Sequence, residues 1–292
     1  MHPDLNYGLW GNDKPIVVFY GETGSGKTTA LVRLINYLHN EQRYQYSLCK
    51  TFHDHYYGGL GINFSIPETE FKKQLNANIH ETEGTATACL CNIMNNKGPI
   101  CRFLELPGED VFSVKMEPER AQILAAHGGM DVFEKQYLND ILKIQDYQKI
   151  WVFFMDIDML QTHRRFASLY INHITDIANR LNEDDKMIFV INKEDVVRQK
   201  YAPVLAKGSE FYINNLFGGF LDQPPFTTES HFLGFTNRRK HFRVVPFCSY
   251  TIEGRGADME GNPQSPVVVP SSSAYPALLW QTIDDAIMNR FD

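Results

Sequence analysis

Apolar residues along this chain fall into short continuous runs, separated by segments in which they recur every three or four positions. Ile16, Val17, Val18, Phe19 and Tyr20 form the first run, and after it Ala30, Leu31, Leu34, Ile35 and Leu38 return at helical spacing. Residues 150–155 and 187–191 are apolar throughout, the pattern of strands in a parallel sheet covered on both faces. Between them Phe166, Leu169, Ile174, Ile177 and Leu181 make one helical stripe. Residues 85–94 and 99–106 read as two further strands, and the intervening Asn95-Asn96-Lys97-Gly98 predicts a tight turn and hence an antiparallel hairpin. A helix carries Phe133, Tyr137, Ile141 and Ile144 on one face. A sixth strand covers 242–247, and a last helix starts near Pro276 and packs through Leu278, Leu279, Ile283 and Ile287.

Strands alternating with helices predict a three-layer α/β fold with about six strands, mainly parallel, and one antiparallel edge strand. No repeat or clean linker divides the chain, so a single domain over 1–292 is expected. Three stretches read as insertions: the aperiodic 41–84, longer than ordinary connections; 109–147, charged and loop-like before its helix; and 196–241, a helix followed by a Pro/Gly-rich loop. Residues 251–273, rich in Gly, Pro and Ser, predict a long irregular connection.

Composition narrows the function classes. A formal net charge of -7 argues against a general nucleic-acid or membrane-surface binder, which needs a basic excess. Arg238-Arg239-Lys240 is too short a basic run to change that and reads as a solvated loop. Five cysteines, an odd number without a C-x-x-C pair, fit reduced core residues of a cytoplasmic protein. No basic leader with an apolar core and no run long enough to span a bilayer is present, so no integral membrane segment is expected.

The chemistry-bearing segments sit at strand ends. Gly21-Glu22-Thr23-Gly24-Ser25-Gly26-Lys27-Thr28 joins the first strand to the first helix and fits G-x-x-x-x-G-K-[ST]. Its glycines let backbone N–H groups wrap phosphate oxygens, Lys27 reaches the β/γ-phosphates, and the Thr28 hydroxyl suits Mg²⁺. The helix behind it, which continues through Thr29, turns its positive end to the same anion. At the end of 187–191 comes Asn192-Lys193-Glu194-Asp195, and at the end of 99–106 comes Glu105-Leu106-Pro107-Gly108. Asp156 and Asp158 read as strand-ending and helix-capping residues, with a role at Mg²⁺ as the alternative. His53-Asp54-His55 has no second cluster at ligand spacing and reads as a polar loop.

In element order and in these motifs the chain resembles the GTPase domain of the TRAFAC class of P-loop GTPases. The resemblance implies GTP/GDP and Mg²⁺ as cofactors, bound by Gly21 to Thr29 and by Asn192, Lys193 and Asp195 as an N-K-x-D motif. Cys248-Ser249 stands in the place of the S-A-K-like element. Glu105 takes the aspartate position of D-x-x-G, toward Mg²⁺, and Gly108 senses the γ-phosphate. Glu109 stands where many members have the water-orienting glutamine, which implies slow intrinsic hydrolysis or a group supplied by a partner. The switch threonine at Mg²⁺ falls to Thr85 first, with Thr82 and Thr87 as alternatives. No arginine lies between Tyr44 and Cys101, which leaves Arg120 or a partner as the source of an arginine finger. The implied function is a GTP-hydrolysing molecular switch with an effector or activating protein as partner. A hydrolysis-deficient scaffold and a P-loop ATPase are the alternatives.

Overall fold

The computed structural model describes residues 13–22, 24–49, 89–105, 141–205, 207–232, 235–253 and 267–291. β1 (Ile16–Tyr20) is buried along its whole length, as its β-branched and aromatic side chains favour. α1 (Lys27–Asn40) starts directly after Gly26, whose left-handed φ of 83° turns the chain into the helix; no side chain caps its N-terminus. There follow β2 (Gln45–Leu48), β3 (Cys89–Asn95), β4 (Gly98–Glu105), β5 (Lys149–Asp156), α2 (Ile157–Thr162), α3 (Arg164–Ala178) and β6 (Lys186–Asn192). The rest is α4 (Glu194–Leu205), α5 (Ser209–Leu216), a 3₁₀ turn (Phe220–Asp222), β7 (Thr227–Phe232), β8 (Phe235–Lys240), β9 (Phe242–Pro246), β10 (Tyr250–Glu253), β11 (Val267–Pro270) and α6 (Ala274–Ile287).

Seven strands form the central sheet in the order β2-β3-β4-β1-β5-β6-β9. β4, β1, β5, β6 and β9 are mutually parallel, with Phe19 opposite Glu105, Tyr20 opposite Phe153 and Asp156 opposite Asn192. β3 is antiparallel to both neighbours. The expected mainly parallel sheet is thus extended by β2, which moves the antiparallel strand one place in from the edge. The hairpin is formed as expected: β3 and β4 pair Asn95 with Gly98, and Asn95 Oδ1 accepts from Lys97 N at 2.8 Å inside the turn. The 196–241 stretch contains an antiparallel ribbon of β7 and β8, and β10 pairs with β11 where an irregular connection was expected.

Alternation along each strand splits the core into two layers. Val17, Phe19, Val152 and Phe154 pack with Leu31, Leu34 and Ile35 of α1 and Leu279 and Ile283 of α6. Val18, Tyr20, Trp151 and Phe153 pack on the opposite face with Tyr170 and Ile174 of α3 and Ile213 of α5. Each such side chain, taken fully from water, is worth about 1.5–3 kcal/mol, so this sheet is a rigid support for the loops at its ends. At the opposite end, Lys149 is fully buried; its Nζ lies 3.2 Å from Asp185 Oδ2 and donates to Ile144 O at 2.6 Å, while Asp185 Oδ1 accepts from Lys149 N at 2.7 Å.

Sheet order also places the glycine-rich loop. The chain leaves β1 toward β4 on one side, then returns to β5 on the other. Such a reversal opens a crevice at the carboxyl ends of the strands, where open α/β sheets take ligands.

Candidate functional site

The loop after β1 is built around the Glu22 carbonyl. It accepts from Ser25 N at 3.2 Å, from Ser25 Oγ at 2.8 Å and from Lys27 Nζ at 2.8 Å. These bonds curl the backbone over the buried Lys27. Gly21 lies against β5: a Cβ there would meet Phe154 O and Ser25 Oγ, each at 3.0 Å. Gly26 has no room for one either, because it would stand 2.2 Å from Asn192 Nδ2. Gly24 is exposed, and Thr28 and Thr29 are half-buried in the first turn of α1.

Asn192 closes the other side. From the end of β6 its Nδ2 donates to Ser25 O at 2.5 Å, so the 192–195 segment holds the loop directly. Lys193 takes a left-handed φ of 55°, which ends β6 and starts α4. Its Nζ reaches Asp156 Oδ2 at 2.5 Å. Asp156 also accepts from Met159 N at 3.3 Å and so caps α2, as the sequence predicts; Asp158 pairs with Lys200 at 2.7 Å. Beside this pair a cleft of about 400 Å³ runs between α2 and α4, lined by Met159, His163, Val196 and Val197 among others.

Asp195 faces the segment after β9. The Cys248 thiol lies 3.4 Å from Asp195 Oδ1 and 3.1 Å from Tyr250 O, and burial, then Asp195, pushes this thiol up to about 12. Ser249 Oγ is buried without a hydrogen-bond partner among the described residues. Glu194, which sequence reasoning passed over, anchors the start of α4: its carboxylate accepts from Arg198 Nε and from Tyr275 Oη, each at 2.8 Å.

Thr28 Oγ1 donates to Glu105 Oε1, so the hydroxyl and the carboxylate expected at Mg²⁺ meet directly. Both are hard oxygen donors, the type Mg²⁺ takes when phosphates and water complete its shell. They fit that ion. Burial pushes Glu105 up to about 7, opposed by Lys27 and by the Thr28 hydrogen bond.

The structure thus brings Gly21, Glu22, Gly24, Ser25, Gly26, Lys27, Thr28, Thr29, Glu105, Asn192, Lys193, Asp195, Cys248 and Ser249 to the carboxyl ends of β1, β4, β6 and β9. Thr23, Thr82, Thr85, Thr87, Gly108, Glu109, Arg120 and His53-Asp54-His55 lie outside the described residues. Two residues gained from the structure are Asp156, as partner of Lys193, and Tyr170, whose hydroxyl donates to Phe154 O at 2.8 Å behind the loop. The only sequence signal for Asp156 was its place at the end of an apolar strand. Among the described residues no helix is long and apolar enough to cross a membrane.

No family model and no curated protein matches the sequence. Solved structures similar to it include the mammalian SRP receptor, at 15% identity over 80% of this chain and 90% of that one, with a TM-score of 0.38. Methanosarcina barkeri Roco2 RocCORdC bound to GDP is 9% identical over 95% of this chain and 50% of that one, with a TM-score of 0.38. The S. cerevisiae Ski7 GTPase-like domain bound to GTP is 14% identical over 95% and 51%, with a TM-score of 0.44. The chain spans about half the length of the latter two. The fold stands on the chain's own topology: a mixed α/β arrangement whose mostly parallel sheet carries the glycine-rich loop at its switch point.

Proposed function

We propose that this protein binds guanine nucleotide and hydrolyses GTP slowly or under the stimulus of a partner, acting as a molecular switch in the cytoplasm. The observation that carries this reading is the hydrogen bond from Asn192 Nδ2 to Ser25 O, which joins a phosphate-type loop to a segment ending in Asp195. Loop amides and Lys27 hold the β- and γ-phosphates, with the developing charge met by groups already in place. Asp195 accepts from the guanine edge, beside Cys248 and Ser249. Thr28 and Glu105 would hold Mg²⁺, which when bound would neutralise phosphate charge. Thr85, Gly108 and Glu109 are assigned the switch hydroxyl, the γ-phosphate contact and the orientation of attacking water. Glu109 adds negative charge where a glutamine is neutral, which is why turnover is expected to be slow without a partner.

Competition for a fluorescent GDP analogue tests base recognition: GTP and GDP should displace it and ATP should not, whereas equal displacement by ATP overturns the reading. Asp195→Asn should weaken GTP by about ten- to a hundredfold, the weight of about 1.5–3 kcal/mol for hydrogen bonds to a charged group. Single-turnover phosphate release then decides hydrolysis; none, alone or with a partner, leaves a nucleotide-held scaffold.

A further inference from the structure

Glu22 occupies the loop with 2% of its surface exposed, and neither carboxyl oxygen has a hydrogen-bond partner among the described residues. A buried carboxylate without partners is costly to ionise. The charged groups facing it are Asp156 at the end of β5, Lys27 at the start of α1 and Lys193 before α4, and Tyr170 of α3 faces it as well. Both ammonium groups are already engaged. Lys27 Nζ donates to the Glu22 carbonyl at 2.8 Å, and Lys193 is paired with Asp156 at 2.5 Å. Ionised Glu22 would therefore place a second carboxylate near Asp156 with no ammonium group of its own.

We propose that the loop takes up the phosphates of its nucleotide with the Glu22 carboxyl protonated, so that binding takes up a proton and weakens as the solution turns alkaline. The inference rests on nucleotide binding as proposed above. Burial, then Asp156, pushes Glu22 up to about 8 against the pull of Lys27 and Lys193. A nucleotide brings further negative charge to Lys27, which makes Glu22 hold its proton more tightly; by linkage, the proton then favours the nucleotide.

Calorimetric titration of GDP with Mg²⁺ into the full chain, in two buffers of different ionisation enthalpy, counts the proton directly. The wild type should take up about half a proton per nucleotide near pH 8, and Glu22→Gln none. From about pH 7 to about pH 9 the wild-type affinity should fall roughly five- to tenfold more than that of Glu22→Gln. No proton uptake by the wild type, or the same uptake and the same pH profile in both proteins, overturns the inference while leaving nucleotide binding intact. Failure of the wild type to bind GDP or GTP at any pH overturns the proposed function instead.

Discussion

A methyl group at position 26 would stand 2.2 Å from Asn192 Nδ2 on a backbone held at φ 83°, whereas one at position 24, with φ 78°, meets nothing within 4 Å. The two glycines therefore separate backbone strain from steric contact. Gly24→Ala is expected to cost only the left-handed term, about 1–2 kcal/mol. Gly26→Ala adds loss of the Asn192–Ser25 bond, about 0.5–1.5 kcal/mol more, and displaces the loop. Denaturant midpoints with nucleotide-free protein measure the difference; equal losses would mean that the Asn192 contact carries no weight. The motif's spacing made the need for glycine legible in the sequence, but not its cause, since the atom that fills the space comes from the far end of β6. The sequence offered Thr28 and Glu105 only as separate candidates for a cation site. Their direct contact was not legible, because it depends on β1 and β4 pairing with Phe19 opposite Glu105.

Among the elements, the strands that were readable are those whose side chains are buried on both faces or joined by a strong turn. β1, β5 and β6 are continuous apolar runs, and Asn95 to Gly98 announces the β3–β4 hairpin. β2 escaped because Gln45, Tyr46, Ser47 and Leu48 form a short, partly exposed edge. β7 and β8 escaped because Thr228-Glu229-Ser230 and Arg238-Arg239-Lys240 carry the polar surface of a ribbon, with Arg238 Nη2 on Asp222 at 2.9 Å and Arg238 Nε on Glu229 at 3.2 Å. The junction before β5 and β6 holds a different surprise, the buried Lys149–Asp185 pair. Asp185→Ala leaves the Lys149 ammonium uncompensated and should cost about 3–5 kcal/mol. Asp158→Ala, which removes the half-exposed pair with Lys200, should cost far less, because solvent screens that pair. Chemical denaturation of both variants checks the contrast; a loss below that of Asp158→Ala would mean that the backbone carbonyl of Ile144 suffices for Lys149.

For the molecule as a whole, the buried Glu22 ties global stability to pH. The folded chain keeps this proton up to about 8, while an unfolded glutamate gives it up near its ordinary value of 4.5. Between those values the folded state binds more protons, so its stability falls as pH rises through the window and the loss is complete above it. Glu22→Gln should therefore raise the Tm of nucleotide-free protein at neutral pH, by a gain on the order of 2–4 kcal/mol that closes toward pH 4.5. A pH-independent difference in Tm would assign the gain to packing instead. At this scale, alternating strands and helices made the layered sheet legible, whereas strand order was set by pairings that no local pattern encodes. The Asn192 amide resting on Gly26 also limits how the chain can change over generations. Position 26 cannot gain a side chain while position 192 keeps its amide, and position 192 cannot lose that amide without freeing the loop. The glycine-rich loop and the segment that begins at Asn192 are thus coupled, and relatives are expected to vary positions 26 and 192 together or not at all.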